Sequence, residues 1–162
     1  MNQGTKANKS GLSLEKLVED CIVSRLHLPS EKFSKTDQRD DILLKHVPYT
    51  NIYGSDRCRS EFLLCFQGRK IRIECKSQHS AGSVDEKLPY LYMNFTQCIE
   101  EDEAIIVIEG EGFKKGAKEW LRRKCKGSKV RVMSLAQFRN ECTNTLPKLP
   151  KSSFFRWFFT NA

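Results

Sequence analysis

The hydrophobic and polar positions of the first half of the chain predict a helix followed by a hairpin. Apolar residues recur at helical spacing over Leu14–Ile22, with Ser10 or Ser13 available as the N-cap. A nearly continuous apolar run, Phe62–Phe66, predicts a strand that is covered on both faces. After a turn that contains glycine, the alternating segment Ile71–Lys76 predicts a second strand, which pairs with the first.

The second half of the chain predicts a strand, a helix and a strand in succession. Ala104–Ile108 is a short apolar run of the kind that is buried at the centre of a sheet. Phe113–Leu121 has apolar residues at helical spacing, and Val130–Met133 reads as the next strand. This order predicts a right-handed parallel crossover. Ser134 can cap a short helix that runs through Phe138.

Two segments fit more than one structure, and a loop lies between them. Ile42–Val47 is either a short strand or a helical turn, and Tyr90–Phe95 is either a strand or the start of a helix. The loop carries Tyr53, Arg57 and Arg59, which could bind nucleic acid by stacking and by pairing with phosphates. Packing within the loop and ordinary solvation are the alternative explanations for these residues.

Length and composition predict one globular domain with two distinct ends. The chain has 162 residues, of which 39% are hydrophobic and 30% charged. We expect a flexible N-terminus over residues 1–10, a folded domain over 11–145 and a C-terminal tail over 146–162 that is rich in proline and aromatic residues. The aromatic tail predicts packing onto the domain or into a partner subunit, as in a homodimer.

Charge and cysteine content narrow the class of protein. The net charge of +8 suits a polyanionic partner, although a basic protein without such a partner has the same composition. The seven cysteines include no C-x-x-C pair, so we expect reduced, mostly buried thiols and no structural zinc site. No run is long and apolar enough for a membrane span, and no secretory signal is evident, which predicts a cytoplasmic location.

The candidate functional residues of the chain are concentrated at the end of the second predicted strand. Because side chains alternate along a strand, Glu74 and Lys76 project to the same face. If Glu61 on the preceding strand reaches the same end of the sheet, two acids and a lysine surround one point. That group suits a divalent cation and a phosphodiester, although a same-face ion pair also explains Glu74 and Lys76.

The order of elements, with an acid, a gap and then E-x-K, resembles the PD-(D/E)XK nuclease superfamily over about Gly11–Asn140. The resemblance implies an α/β fold of the restriction-endonuclease-like type, with an αβββαβ core in which helices flank a mixed sheet. It also implies a metal-dependent deoxyribonuclease that acts as an endonuclease on DNA. A catalytically inactive module on the same fold, which binds nucleic acid or another protein, is the alternative.

The resemblance assigns roles to residues around the E-x-K motif. Glu74 matches the second metal-binding acid of the family, and Lys76 matches its lysine. Glu61 stands where the family normally has aspartate, and Asp56 in the preceding loop is the competing candidate for that ligand. With the backbone carbonyl of Cys75, these acids would bind Mg²⁺, for which Mn²⁺ could substitute.

Three further residues match the family less specifically. Gln78 matches a glutamine that is often found two residues past the lysine. Glu15 matches a helix acid that acts on a second metal or its waters, although a glutamate in the first turn of a helix also compensates the helix dipole. Lys87 is expected to approach a phosphate of the DNA.

Overall fold

The computed structural model describes residues 3–36 and 39–148, with the backbone alone for residues 3–13. The helices are α1 (Gln3–Leu26), α2 (Val84–Gln97), α3 (Lys115–Cys125) and α4 (Leu135–Asn140), followed by a π-helical turn (Glu141–Thr145) and a 3₁₀ turn (Leu146–Lys148). The strands are β1 (Ser30–Lys32), β2 (Ile42–Tyr49), β3 (Cys58–Phe66), β4 (Arg69–Ser77), β5 (Glu103–Glu109) and β6 (Val130–Met133).

The six strands form one mixed sheet in chain order, β1 to β6. Strand β3 is antiparallel to both β2 and β4, whereas β4, β5 and β6 run parallel and β1 is parallel to β2. Gln67 and Gly68 both have positive φ, 53° and 73°, as a two-residue turn of type I′ requires. The predicted hairpin and the α/β fold with an αβββαβ core, formed by α1, β2, β3, β4, α2 and β5, are therefore confirmed.

Both ambiguous segments have a definite structure. Ile42–Val47 belongs to strand β2, and Tyr90–Phe95 lies inside helix α2. The predicted crossover is parallel, since β5 pairs in parallel with β6. Ser134 caps α4 as predicted, because its Oγ accepts a hydrogen bond from the Gln137 amide while the Gln137 side chain accepts one from Ser134.

The start of α1 differs from the prediction. The helix begins at Gln3, within the segment expected to be a flexible terminus, so Ser10 and Ser13 lie inside it and the predicted N-cap is wrong. The short strand β1, which pairs in parallel with β2, was not predicted, because three polar residues carry no hydrophobic pattern. The aromatic segment of the predicted tail lies outside the described residues.

Each face of the sheet is covered by a helical layer. On one face, Val18 and Ile22 of α1 pack with Ile73 of β4, and Phe138 of α4 joins the same core. The other face packs against α2 and α3. The buried residues of this second core include Leu88, Phe95, Ile106 and Leu121. Strand β4 therefore lies between two cores, with its odd-numbered residues on the α1 side.

All seven cysteines lie within the described residues and are reduced, and five of them are buried, as expected. Among the helices that the structure describes, none combines the length and the apolar character needed to cross a membrane.

Candidate active site

Strands β3 and β4 separate near the predicted E-x-K motif. Their backbone pairing runs from Phe66 and Arg69 to Phe62 and Ile73, and it stops there. Beyond that point the Cys75 N–H donates a hydrogen bond of 3.0 Å to Oε2 of Glu61. The Glu61 carboxylate thus takes the place of a backbone acceptor, and it lies in the gap between the two strands.

A local irregularity in β2 accompanies this gap. His46 has a left-handed backbone with φ of 56°, which is unusual for a residue inside a strand. Leu44 and Val47 pack in one cluster although their odd spacing would place them on opposite faces of a regular strand. His46 and Glu61 stand opposite each other, but they are not paired in the β2–β3 ladder. Glu15, His46 and Glu61 line a cavity of about 200 Å³.

The ammonium group of Lys76 is surrounded by oxygen atoms. Its Nζ donates to Oε1 of Glu74 and, at 3.2 Å, to the backbone carbonyl of Cys75. The same Nζ lies 3.7 Å from Oε1 of Glu61. The two carboxylates and the carbonyl that the sequence predicted as metal ligands therefore all lie around one positive charge.

Burial and charge perturb both members of the E-x-K pair. Glu74 is only 6% exposed, and burial raises its pKa well above the ordinary 4.5, with Glu61 adding to the increase and Lys76 opposing it. Burial alone would lower the pKa of Lys76, but the carboxylates of Glu74 and Glu61 outweigh it and raise that pKa. Lys76 is therefore held as an ammonium group.

One oxygen of Glu74 has no hydrogen-bond partner. Its Oε2 is buried, and no donor among the described residues reaches it. A buried carboxylate oxygen without a donor is costly, so it is a position at which a cation or a bound donor would be favourable.

Glu15 belongs to the same electrostatic group. Burial raises the pKa of its carboxyl, and the negative charge of Glu61 raises it further, while His46 and Lys76 oppose the change. Because α1 begins at Gln3, Glu15 does not lie in the first turn of the helix. Compensation of the helix dipole therefore does not explain its position.

Gln78 binds backbone groups away from the acids. Its Nε2 donates to the Gly112 carbonyl at 2.8 Å, and its Oε1 accepts from the Val84 amide at 2.8 Å. The contact is close, since a Cβ on Gly112 would lie 2.3 Å from the carbonyl oxygen of Ser80. Gln78 thus connects the end of β4 to the start of α2 and to the loop after β5.

The remaining predicted residues lie on the surface. Asp56 is exposed in the turn before β3, and among the described residues it makes no hydrogen bond or ion pair with the acids around Lys76. Arg57, Arg59 and Lys87 are also exposed. Tyr53 is 78% exposed and stacks on a second tyrosine of the surface. The structure brings Glu61, Glu74, Cys75, Lys76 and Glu15 together, and it leaves these other residues outside that group.

Arg72 packs beside the site and was not among the residues predicted from the sequence. It is 4% exposed, forms an ion pair with Glu101, and donates to Oγ of Ser60 at 2.9 Å. Its guanidinium also lies 5.4 Å from the centre of the Tyr49 ring. The pKa of Tyr49 is raised by burial and then by Glu74. Arg72, Glu74 and Lys76 stand at alternate positions of β4, so strand alternation predicts that all three side chains project to one face.

The oxygen atoms of Glu61, Glu74 and the Cys75 carbonyl are of the type that binds a hard divalent cation. Carboxylate and carbonyl oxygens are the protein ligands that Mg²⁺ takes, and this ion keeps several waters. Within the described part of the chain, no group of three or more His, Cys, Asp or Glu side chains is arranged to hold a metal ion. The protein ligands would thus be the two acids and the Cys75 carbonyl, with water completing the shell.

Comparison with protein families gives a match over most of the chain. Residues 6–146 match the family model for the PD-(D/E)XK nuclease superfamily domain. No curated protein matches the chain.

Proposed function

The chain belongs to the PD-(D/E)XK nuclease superfamily, and from that premise we propose that it is a metal-dependent endonuclease that hydrolyses DNA phosphodiester bonds. The observation that carries the proposal is the position of Lys76. Its Nζ lies among the oxygens of Glu61, Glu74 and Cys75, and these are hard donors of the kind that a divalent cation takes.

Magnesium is the proposed cofactor, and manganese is a possible substitute. Glu61, Glu74 and the carbonyl of Cys75 would hold it, and the partnerless Oε2 of Glu74 supports this assignment. When bound, Mg²⁺ supplies Lewis-acid activation of the phosphate and lowers the pKa of a coordinated water. The Cys75 N–H fixes the orientation of the Glu61 carboxylate before any ion arrives.

Lys76 is proposed to act as a positive charge and a hydrogen-bond donor. The neighbouring carboxylates raise its pKa, so the ammonium form is maintained near neutral pH. An ammonium group can orient the attacking water and stabilise the negative charge that develops on the phosphate. Glu15 and His46, in the cavity beside Glu61, are proposed to hold water molecules next to the reacting phosphate.

DNA is the proposed partner of the basic surface. The net charge of +8 favours binding to a polyanion, although the candidate site itself is acidic. Exposed Arg57, Arg59 and Lys87 are proposed to contact the phosphate backbone. The basic surface would then hold the DNA, and the acids would require a cation before a phosphate could approach.

A cleavage assay on plasmid, single-stranded and branched DNA with Mg²⁺ or Mn²⁺ tests the proposal. We expect metal-dependent cleavage that Lys76→Ala and Glu61→Gln reduce by at least about 100-fold. The matched control is Asp56→Asn, which removes the competing acid from the exposed turn and should leave cleavage intact. Loss of cleavage in Asp56→Asn, with normal cleavage by Glu61→Gln, would assign the ligand to Asp56 instead.

The inactive nucleic-acid-binding module is the second candidate. It is favoured by the glutamate at position 61, whose Oε2 is already bonded to the Cys75 amide. The same assay separates the two functions when it is combined with a binding measurement. DNA binding without cleavage in either metal would support the binding module and contradict the nuclease.

A further inference from the structure

The loop before β3 is held in one shape by its own hydrogen bonds. Oδ1 of Asn51 accepts from the amides of Tyr53 and Ser55 at 2.9 and 3.0 Å, and the Asn51 amide donates to the Ser55 carbonyl at 2.8 Å. The Ile52 amide donates to Oδ1 of Asn94 in α2 at 2.9 Å. The loop is therefore an ordered support for the side chain at position 53.

This loop presents an aromatic ring to solvent. The ring of Tyr53 stacks on that of Tyr90, with centroids 5.7 Å apart and planes inclined by 20°. Tyr53 remains 78% exposed, well above Leu17 and Met93, which are both 39% exposed and are the other large hydrophobic residues on the described surface. Tyr90 covers one side of the ring, and the exposure indicates that the other side is open.

Packing of the loop does not account for this arrangement. The hydrogen bonds of Asn51 hold the loop without the Tyr53 ring, and a ring that is 78% exposed buries little apolar area. An exposed and supported aromatic face is a surface on which a nucleic-acid base can stack.

Exposed cations are close in sequence to the two stacked rings, which we call the Tyr53–Tyr90 platform. Lys87 is exposed and lies one helical turn before Tyr90 in α2. Arg57 and Arg59 are exposed and flank Cys58, the first residue of β3. None of these three cations forms an ion pair with a carboxylate among the described residues, so they are available to phosphates.

The Tyr53–Tyr90 platform lies at the same end of the sheet as the acids. The hydroxyl of Tyr90 is 3.9 Å from Sγ of Cys58, the first residue of β3. Glu61 follows three residues later in the same strand, a distance of about 10 Å along β3. One DNA strand can therefore reach both the platform and the proposed cleavage site.

We propose that the Tyr53–Tyr90 platform binds an unpaired base, so that the substrate carries a single-stranded DNA segment next to the cleavage point. The inference rests on the proposed function and specifies its substrate class. A base in a duplex is stacked between its neighbours and does not offer its face to Tyr53, whereas a base in a single strand does. Lys87, Arg57 and Arg59 would bind the phosphates of the same strand.

Fluorescence anisotropy without divalent cations tests this inference. The probes are a labelled single-stranded DNA and the duplex of the same sequence. Because base stacking contributes about 1–3 kcal/mol per base, Tyr53→Ala should weaken single-strand binding by about fivefold or more. The loss on the single strand should exceed the loss on the duplex by at least about fivefold, and Tyr53→Phe and Tyr53→Trp should retain binding because both keep an aromatic face.

Leu17→Ala is the matched control, since it also truncates an exposed apolar side chain, on α1. Parent-like single-strand affinity in Tyr53→Ala would overturn the platform, and so would equal losses on both DNAs or an equal loss in Tyr53→Phe. Each of these results leaves the proposed nuclease standing. If the parent protein neither binds nor cleaves any DNA, the proposed function fails together with the platform.

Discussion

Replacement of Lys76 by methionine is predicted to destabilise the protein in a pH-dependent way. Methionine keeps the length and apolar stem of lysine but removes the charge between Glu61 and Glu74. At the 3.7 Å separation of Lys76 and Glu61, the attraction is about 4 kcal/mol for an effective dielectric constant of about 20. Desolvation of the lysine offsets part of it.

The expected loss follows from the burial of the group. Removing one partner of a fully buried pair costs about 3–5 kcal/mol. The side chain of Lys76 is 21% exposed, so solvent reduces this figure. We expect the free energy of unfolding to fall by about 2–4 kcal/mol at pH 8, which is a large part of the stability of an ordinary domain.

The sign of the pH dependence comes from Glu74. Its pKa is raised above the ordinary 4.5, so above pH 4.5 the folded state binds more protons than the unfolded state and stability falls as pH rises. Lys76 opposes this increase in pKa, and its removal raises the pKa of Glu74 further. The variant should therefore lose less stability at pH 5, where Glu74 can take up a proton.

Urea unfolding of the parent and of Lys76→Met at pH 5 and pH 8 measures the effect. Lys115→Met is the matched control, because the side chain of Lys115 is 90% exposed and should change stability by less than about 0.5 kcal/mol. A loss that is the same at both pH values would refute the electrostatic explanation. Mg²⁺ should also stabilise Lys76→Met more than the parent, since the ammonium group no longer competes for the oxygens.

Three further predictions concern the support of the site. Arg72→Met leaves the largely buried Glu101 without its partner and should cost about 3–5 kcal/mol in chemical unfolding. The double variant Arg72→Met/Glu101→Gln should recover part of the loss, and no recovery would contradict the ion-pair explanation. Gly112→Ala should cost at least about 1–3 kcal/mol, because its Cβ would lie 2.3 Å from the Ser80 carbonyl oxygen; an unchanged melting temperature would contradict this. Gln78→Ala leaves the Val84 amide and the Gly112 carbonyl without their partner and should cost about 2–4 kcal/mol of unfolding free energy. Cleavage should fall less than in Lys76→Ala. A loss of cleavage without a loss of stability would instead favour a direct catalytic role for Gln78.

The sequence predicted the elements of the site better than their contacts. Glu74, Lys76 and the hairpin follow from strand alternation and turn composition, which act between neighbouring residues. The family resemblance placed Gln78 among the candidate catalytic residues, because it matches a glutamine found two residues past the lysine. In the structure its amide bonds to Gly112, 34 residues away, and no pattern local to Gln78 indicates that contact.

What the sequence alone determined is the β3–β4 hairpin, the strand–helix–strand order of β5, α3 and β6, the family resemblance and the shared face of Glu74 and Lys76, because each depends on a short local pattern. Tertiary structure alone decided how Glu61 reaches that face. It does so where β3 and β4 separate, opposite the left-handed backbone of His46. Likewise, the ring stacking of Tyr53 on Tyr90 joins a loop to a helix. Such positions result from packing between distant segments, and only the folded chain specifies them.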